Sequence, residues 1–146
     1  MHYLAFVLVP QSIEKFQVSD VVADMLAPYG ELFDENHDGR YYSPNPKAKL
    51  DQWVVGGRWD GLISGHSIGS VLSEDGKWEG NIVKVTDLPP DLLPAAVITP
   101  DGRWHDWYET TGITQAVRDD EWRLVVRSLL EKHRDCFAVS VDYHSW

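Results

Sequence analysis

The stretch Gly56-Gly57-Arg58-Trp59, with Trp53 shortly before it, carries the residue types that recognition of a small anion requires. Glycines allow backbone N–H groups to converge on a negative charge, and a guanidinium offers a planar fork to phosphate or carboxylate. The two indoles would then supply flat faces for a base or a sugar. Trp53, Gly56, Gly57, Arg58 and Trp59 are therefore the ligand-binding candidates, for a small anionic or nucleotide-like molecule. An architectural reading stands beside this one: a tight glycine turn, Arg58 paired with Asp51 or Asp60, and two core tryptophans.

A second constellation lies at the end of the chain. Asp142 and His144 are two residues apart in an alternating segment, so a strand places both on one face, opposite Val141 and Tyr143. A carboxylate and an imidazole so placed suit proton transfer, or two ligands of a divalent metal. His105, beside Asp106 in a neighbouring hairpin, is the candidate third member of a catalytic or metal site. The alternative is a polar, solvent-facing edge of a sheet.

Two weaker patterns complete the list. Asp34-Glu35-Asn36-His37-Asp38-Gly39 matches the first half of a calcium loop, yet the twelfth position is Asn45, preceded by Pro44, where a bidentate glutamate belongs. An acidic surface loop accounts for it better. Cys136 follows His133 by three residues, but a small hydrophobe at a strand start and a cation at a helix end explain them without nucleophilic chemistry.

The elements that must position these groups are legible from periodicity. Tyr3 to Val9 is apolar on both alternating sets, which predicts a strand covered on both faces. Ser12 to Pro28 carries Ile13, Phe16, Val21, Val22, Met25 and Leu26 near helical spacing, with a break expected near Gln17 to Ser19. Trp53 to Val55 and Trp59 to Ile63 predict short strands about the double glycine. Asp-Gly turns at Asp75-Gly76 and Asp101-Gly102 predict two hairpins, the second joining Ala95–Thr99 to Arg103–Trp107. A helix from Asp119 or Asp120 to about Arg134 follows from the stripe Trp122, Val125, Val126, Leu129, Leu130. Phe137, Val139, Val141 and Tyr143 then predict a last strand with one buried face.

A chain that opens βα and closes αβ can pair its terminal strands within one sheet. The expected class is α+β: one antiparallel or mixed sheet, a ferredoxin-like variant with inserted β-hairpins, and the two main helices on one face. Residues 1–146 read as a single domain, because 146 residues suffice for one core without staples.

Three segments together resemble a group of bacterial and bacteriophage proteins of uncharacterised activity. They are Ser43-Pro44-Asn45-Pro46 leading to Asp51-Gln52-Trp53-Val54-Val55-Gly56-Gly57-Arg58-Trp59, then Val97 to His105, then Val141-Asp142-Tyr143-His144. They cover about a fifth of the chain, in the expected order. The group's final motif is Asp-Cys-His, where this chain has Tyr143 in the middle, and its tryptophan-rich stretch after the Asp-Gly turn is longer. The resemblance implies a prokaryotic or phage origin and no particular reaction.

Composition removes several classes. At 43% hydrophobic and 25% charged, the chain lies well clear of the disordered range. A net charge of −10 repels phosphate backbones and anionic membranes, so nonspecific nucleic-acid binding is not expected. The apolar start lacks the basic region and cleavage site of a signal peptide, and no run approaches the ~20 apolar residues of a spanning helix. A lone cysteine predicts a reducing compartment, the cytoplasm. The residues nominate no cofactor. Three functions remain, in this order: a binding domain for an anionic or nucleotide-like ligand, an acidic phage-type inhibitor that occupies a host protein, and a metal-dependent hydrolase.

Overall fold

The computed structural model describes residues 1–31, 34–35, 41–42, 45–65 and 80–145. Its strands are β1 (His2–Pro10), β2 (Asp34–Glu35), β3 (Tyr41–Tyr42), β4 (Gln52–Val55), β5 (Ile82–Lys84), β6 (Ala96–Ile98), β7 (Trp104–Asp106) and β8 (Cys136–His144). Its helices are α1 (Val18–Leu26) and α2 (Gln115–Lys132). The terminal strands form the spine: β1 and β8 pair antiparallel over their whole length, from His2 opposite His144 to Pro10 opposite Cys136.

Around that pair the sheet runs β4-β8-β1-β6-β7, with β5 also bonded to β8, so β4 and β5 share one edge of β8 in tandem. β1 and β6 are parallel and the other pairs antiparallel, which makes the sheet mixed. Strands β2 and β3 form a separate two-stranded ladder. The α+β class stands.

The helices, expected on one face, lie on opposite ones. Ala5, Val7 and Val9 pack with Val18, Val22 and Leu26 of α1, whereas Leu4, Phe6 and Leu8 pack with Trp122 and Val126 of α2. The reason is visible in β1 itself, whose alternating sets are both apolar and must both be kept from water. Strand β8 is likewise buried on both faces from Ala138 to Tyr143, against the expected single buried face.

Two local differences have equally plain causes. Residues Trp59 to Ile63 are not a strand; Gly57–Trp59 and Leu62–Ser64 are single 3₁₀ turns. Helix α2 begins at Gln115, earlier than expected, because the Thr114 side chain accepts from the Val117 N–H and caps it. The hairpin about Asp75-Gly76 and most of the calcium-like loop lie outside the described residues. No described helix is long and apolar enough to cross a membrane.

Candidate functional site

The last three outward positions of β8 on the α2 side change from packing to polar chemistry. Ser140, Asp142 and His144 follow Ala138 on one face, as a period of two requires. The ladder sets Leu4 opposite Asp142 and His2 opposite His144, so the first strand delivers a second imidazole to the same end of the sheet.

Asp142 is 4% exposed, and both of its oxygens are held. Oδ1 lies 2.8 Å from His2 Nδ1, and Oδ2 accepts the backbone N–H of Arg58 at 2.9 Å. A carboxylate only accepts, so Nδ1 of His2 carries the proton and Nε2 faces away from the pair. Among the described residues, His2 Nε2 has no hydrogen-bond partner, and the side chain is 35% exposed. His144 is arranged in parallel: its Nδ1 lies 2.7 and 2.9 Å from the two oxygens of Asp51, while the Met1 amino group is 3.1 Å from Nε2. The two rings meet edge to face with centroids 5.1 Å apart.

The second glycine of the pair is explained by Asp142, and the first by Asn81 and Asp60, which a Cβ on Gly56 would meet at 2.6 and 2.8 Å. Gly57 has φ of 55°, and a Cβ there would lie 2.5 Å from Asp142 Cβ and 2.8 Å from its carboxyl carbon. Only a residue without a side chain lets the turn close over the carboxylate. The anion that this turn receives is thus the protein's own. Gly56, also left-handed at φ 77°, donates its N–H to the Ser140 carbonyl at 3.0 Å. Below it a buried network fastens the turn to β8: Asn81 Oδ1 accepts from Ser140 Oγ at 2.8 Å and from the Gly61 N–H at 3.0 Å, and Asn81 Nδ2 donates to Asp60 at 2.6 Å.

The Arg58 guanidinium is a different matter from its backbone. The side chain is exposed, and among the described residues it makes no hydrogen bond or ion pair. Asp51 is engaged by His144 and Asp60 by Asn81, the two carboxylates that would otherwise have claimed it. Arg58 therefore stands rooted at Asp142 with its five donors open to solvent.

The remaining candidates separate. Trp53 packs with the core on the α1 side and Trp59 with the core on the α2 side, so the two indoles cannot close on one base. His105 belongs to β7, separated from β8 by β1 and β6, and its contacts are Glu109 at 3.5 Å and Thr99 at 3.5 Å. It is not joined to Asp142 and His144. Among the described residues no group of three His, Cys, Asp or Glu side chains is placed to hold a metal ion. His2 and Asp51 are the members that sequence reasoning missed, although pairing the first and last strands in register points to His2. Cys136 is buried at the start of β8, where burial, and secondarily the charge of Asp135, pushes its thiol pKa up, opposite to what a nucleophile needs.

Fold and site together define a mixed-sheet α+β domain with two carboxylate-oriented imidazoles and an open guanidinium whose backbone is bonded to one of those carboxylates. No family model, no curated protein and no solved structure matches the chain.

Proposed function

We propose that this domain binds a small anion, a phosphate or carboxylate group, at Arg58 and His2. The observation that carries the reading is the shared anchoring of those two residues: each holds one oxygen of buried Asp142, Arg58 by its backbone and His2 by Nδ1, which roots an open guanidinium and an open imidazole Nε2 at one carboxylate. Backbone N–H groups of the glycine turn have no part in this, since Asp142 occupies the turn. The guanidinium fork prefers an oxyanion with two coplanar acceptors, and the His2 ring adds a second donor through Nε2–H when it is doubly protonated beside that anion.

The test is calorimetric titration with inorganic phosphate, a nucleoside monophosphate and citrate. Arg58→Ala is expected to abolish binding of whichever anion associates, with the melting temperature held to within about 2 °C because an exposed, unpaired side chain contributes little stability. Failure of all three anions to bind, or undiminished binding by Arg58→Ala, would overturn the proposal.

A second reading has one observation in its favour. An imidazole whose Nδ1–H is fixed by a buried carboxylate and whose Nε2 is open has the arrangement of a general base. In that case the bound anion is a phosphoester, and hydrolysis of a chromogenic phosphodiester disappears in His2→Ala while persisting in His105→Ala. Absence of turnover in the unsubstituted protein would remove this second reading and leave the first.

A further inference from the structure

At the end of the sheet where β1 begins and β7 ends there is an open cavity of about 710 Å³, within the range that suits a small organic ligand. Neighbouring residues of β1 divide the two sites: His2 turns toward Asp142, whereas Tyr3, on the other face, enters this cavity. Tyr3, Lys49, Trp104, Asp106, Tyr108 and Tyr143 line it. Tyr143 is 6% exposed, yet its hydroxyl makes no hydrogen bond among the described residues. Among the described residues that hydroxyl is not a buried, unsatisfied atom, so it is a polar group on the open wall of the cavity, available to a ligand as donor or acceptor.

The walls are aromatic, and two of the ring pairs meet at steep angles. Trp104 stands edge to face on Tyr143 at 5.2 Å, Tyr3 is stacked on Tyr143 at 5.4 Å, and Trp107 meets Tyr108 at 78°. Ring faces set at large angles around a cavity are the geometry that attracts an organic cation by its charge on the π clouds. One lining ring already makes such a contact: the Arg118 guanidinium lies 3.7 Å from the centroid of Trp107.

The charge at the cavity has the matching sign. Asp106, 8% exposed, holds Trp104 Nε1 through Oδ2 and the Tyr108 N–H through Oδ1, which fixes its carboxylate within the aromatic walls. Asp119 adds a second carboxylate to the lining. Two lining residues carry cations: the Met1 amino group is held by the Ser145 carbonyl at 2.8 Å, whereas Lys49 reaches Asp106 only at 3.5 Å and is 43% exposed, so its ammonium is loosely held and displaceable. The protein as a whole is acidic, at −10, which favours approach of a cation.

We infer that this cavity binds a small organic ammonium, seated against the Tyr143 and Trp104 rings with its charge on Asp106 in place of Lys49. The experiment is titration of the full chain with choline, followed by tryptophan fluorescence and calorimetry. The uncharged isostere 3,3-dimethylbutan-1-ol is the control. Choline is expected to saturate and to bind at least about tenfold more tightly than the alcohol, as a partly desolvated cation–π contact requires.

Two variants keep the inference falsifiable. Tyr108→Ala, at a side chain 79% exposed and hence harmless to folding, is expected to weaken choline binding about fivefold. Lys49→Gln removes the competing ammonium and should tighten binding about threefold, an effect no merely structural role produces. A peptide carrying trimethyl-lysine, titrated separately, assigns the source of the ammonium by its affinity relative to free choline. Equal binding of the alcohol, no response to choline, or weaker binding in Lys49→Gln would each overturn the inference. None of these results bears on the anion at Arg58, which has the opposite charge and a separate set of contacts.

Discussion

His2 and His144 are directly opposed in the ladder between the first and last strands, and each turns its Nδ1 to a different carboxylate, His2 to Asp142 and His144 to Asp51. Their rings touch edge to face, so the two carboxylate–imidazole pairs form one polar island at the end of an apolar sheet. The island is asymmetric: Asp142 is buried beneath a glycine turn, whereas Asp51 lies outside the strands.

Asp142 is accordingly the residue whose loss costs most. Asp142→Ala strands the Arg58 N–H and the His2 Nδ1–H without an acceptor and opens a void under Gly57. A loss of about 2–4 kcal/mol is expected. Asp51→Ala, removing a more exposed partner, should cost about 1 kcal/mol or less. Urea unfolding of the two variants distinguishes them, and equal losses would contradict the asymmetry.

Gly57→Ala tests the close approach of turn and carboxylate. The added methyl meets Asp142 in a backbone conformation that L residues rarely adopt, so strain and overlap act together, and about 3 kcal/mol or more should be lost. Gly102, also at positive φ but with open space around its Cβ position, serves as the control. Gly102→Ala should pay only the conformational penalty of about 1–2 kcal/mol. A Gly57→Ala protein as stable as Gly102→Ala would show that the turn does not need Asp142 beneath it.

Cys136 offers a chemical test of the core. Its thiol is buried where β8 begins, and burial raises its pKa, so the reactive thiolate is scarce in the folded state. Reaction with a disulfide reagent at pH 8 should be at least about a hundredfold slower in the native protein than in urea. Fast native labelling would mean that this end of the sheet opens locally.

How far the sequence reveals all this depends on the range of the interaction. The double-sided burial of β1 is written in Tyr3 to Val9, where both alternating sets are apolar, and the β6–β7 hairpin in Asp101-Gly102, a local turn signal. The β1 pattern argues against both helices lying on one face, since its two apolar sets need cover on both sides and α1 and α2 supply one each; which helix takes which face is not local information. Asp142 and His144 could be assigned to one face from their spacing alone. Their partners could not, because His2 lies 140 residues from Asp142, and Asp51 93 from His144; only strand pairing brings them together. The glycine pair reads in the sequence as a turn for an external anion; that the Asp142 carboxylate lies against Gly57 follows only from β8 passing beneath the turn.

Tyr143 gives the domain a distinct alkaline response. Burial, followed by the nearby charge of Asp106, holds its phenol well above the ordinary value of 10. Below pH 10 the phenol is protonated in folded and unfolded chains alike, and its contribution to stability is fully present. Above pH 10 the unfolded chain releases the proton while the folded chain retains it, so stability falls as pH rises toward the folded value, by about 1.4 kcal/mol per pH unit. Tyr143→Phe abolishes this dependence while keeping the ring that stacks on Tyr3 and meets Trp104. Urea unfolding at pH 9 and 11 should therefore show the unsubstituted protein losing about 1 kcal/mol more than Tyr143→Phe between the two conditions. Parallel losses in the two proteins would mean that the Tyr143 phenol ionises as readily in the folded state as in the unfolded chain.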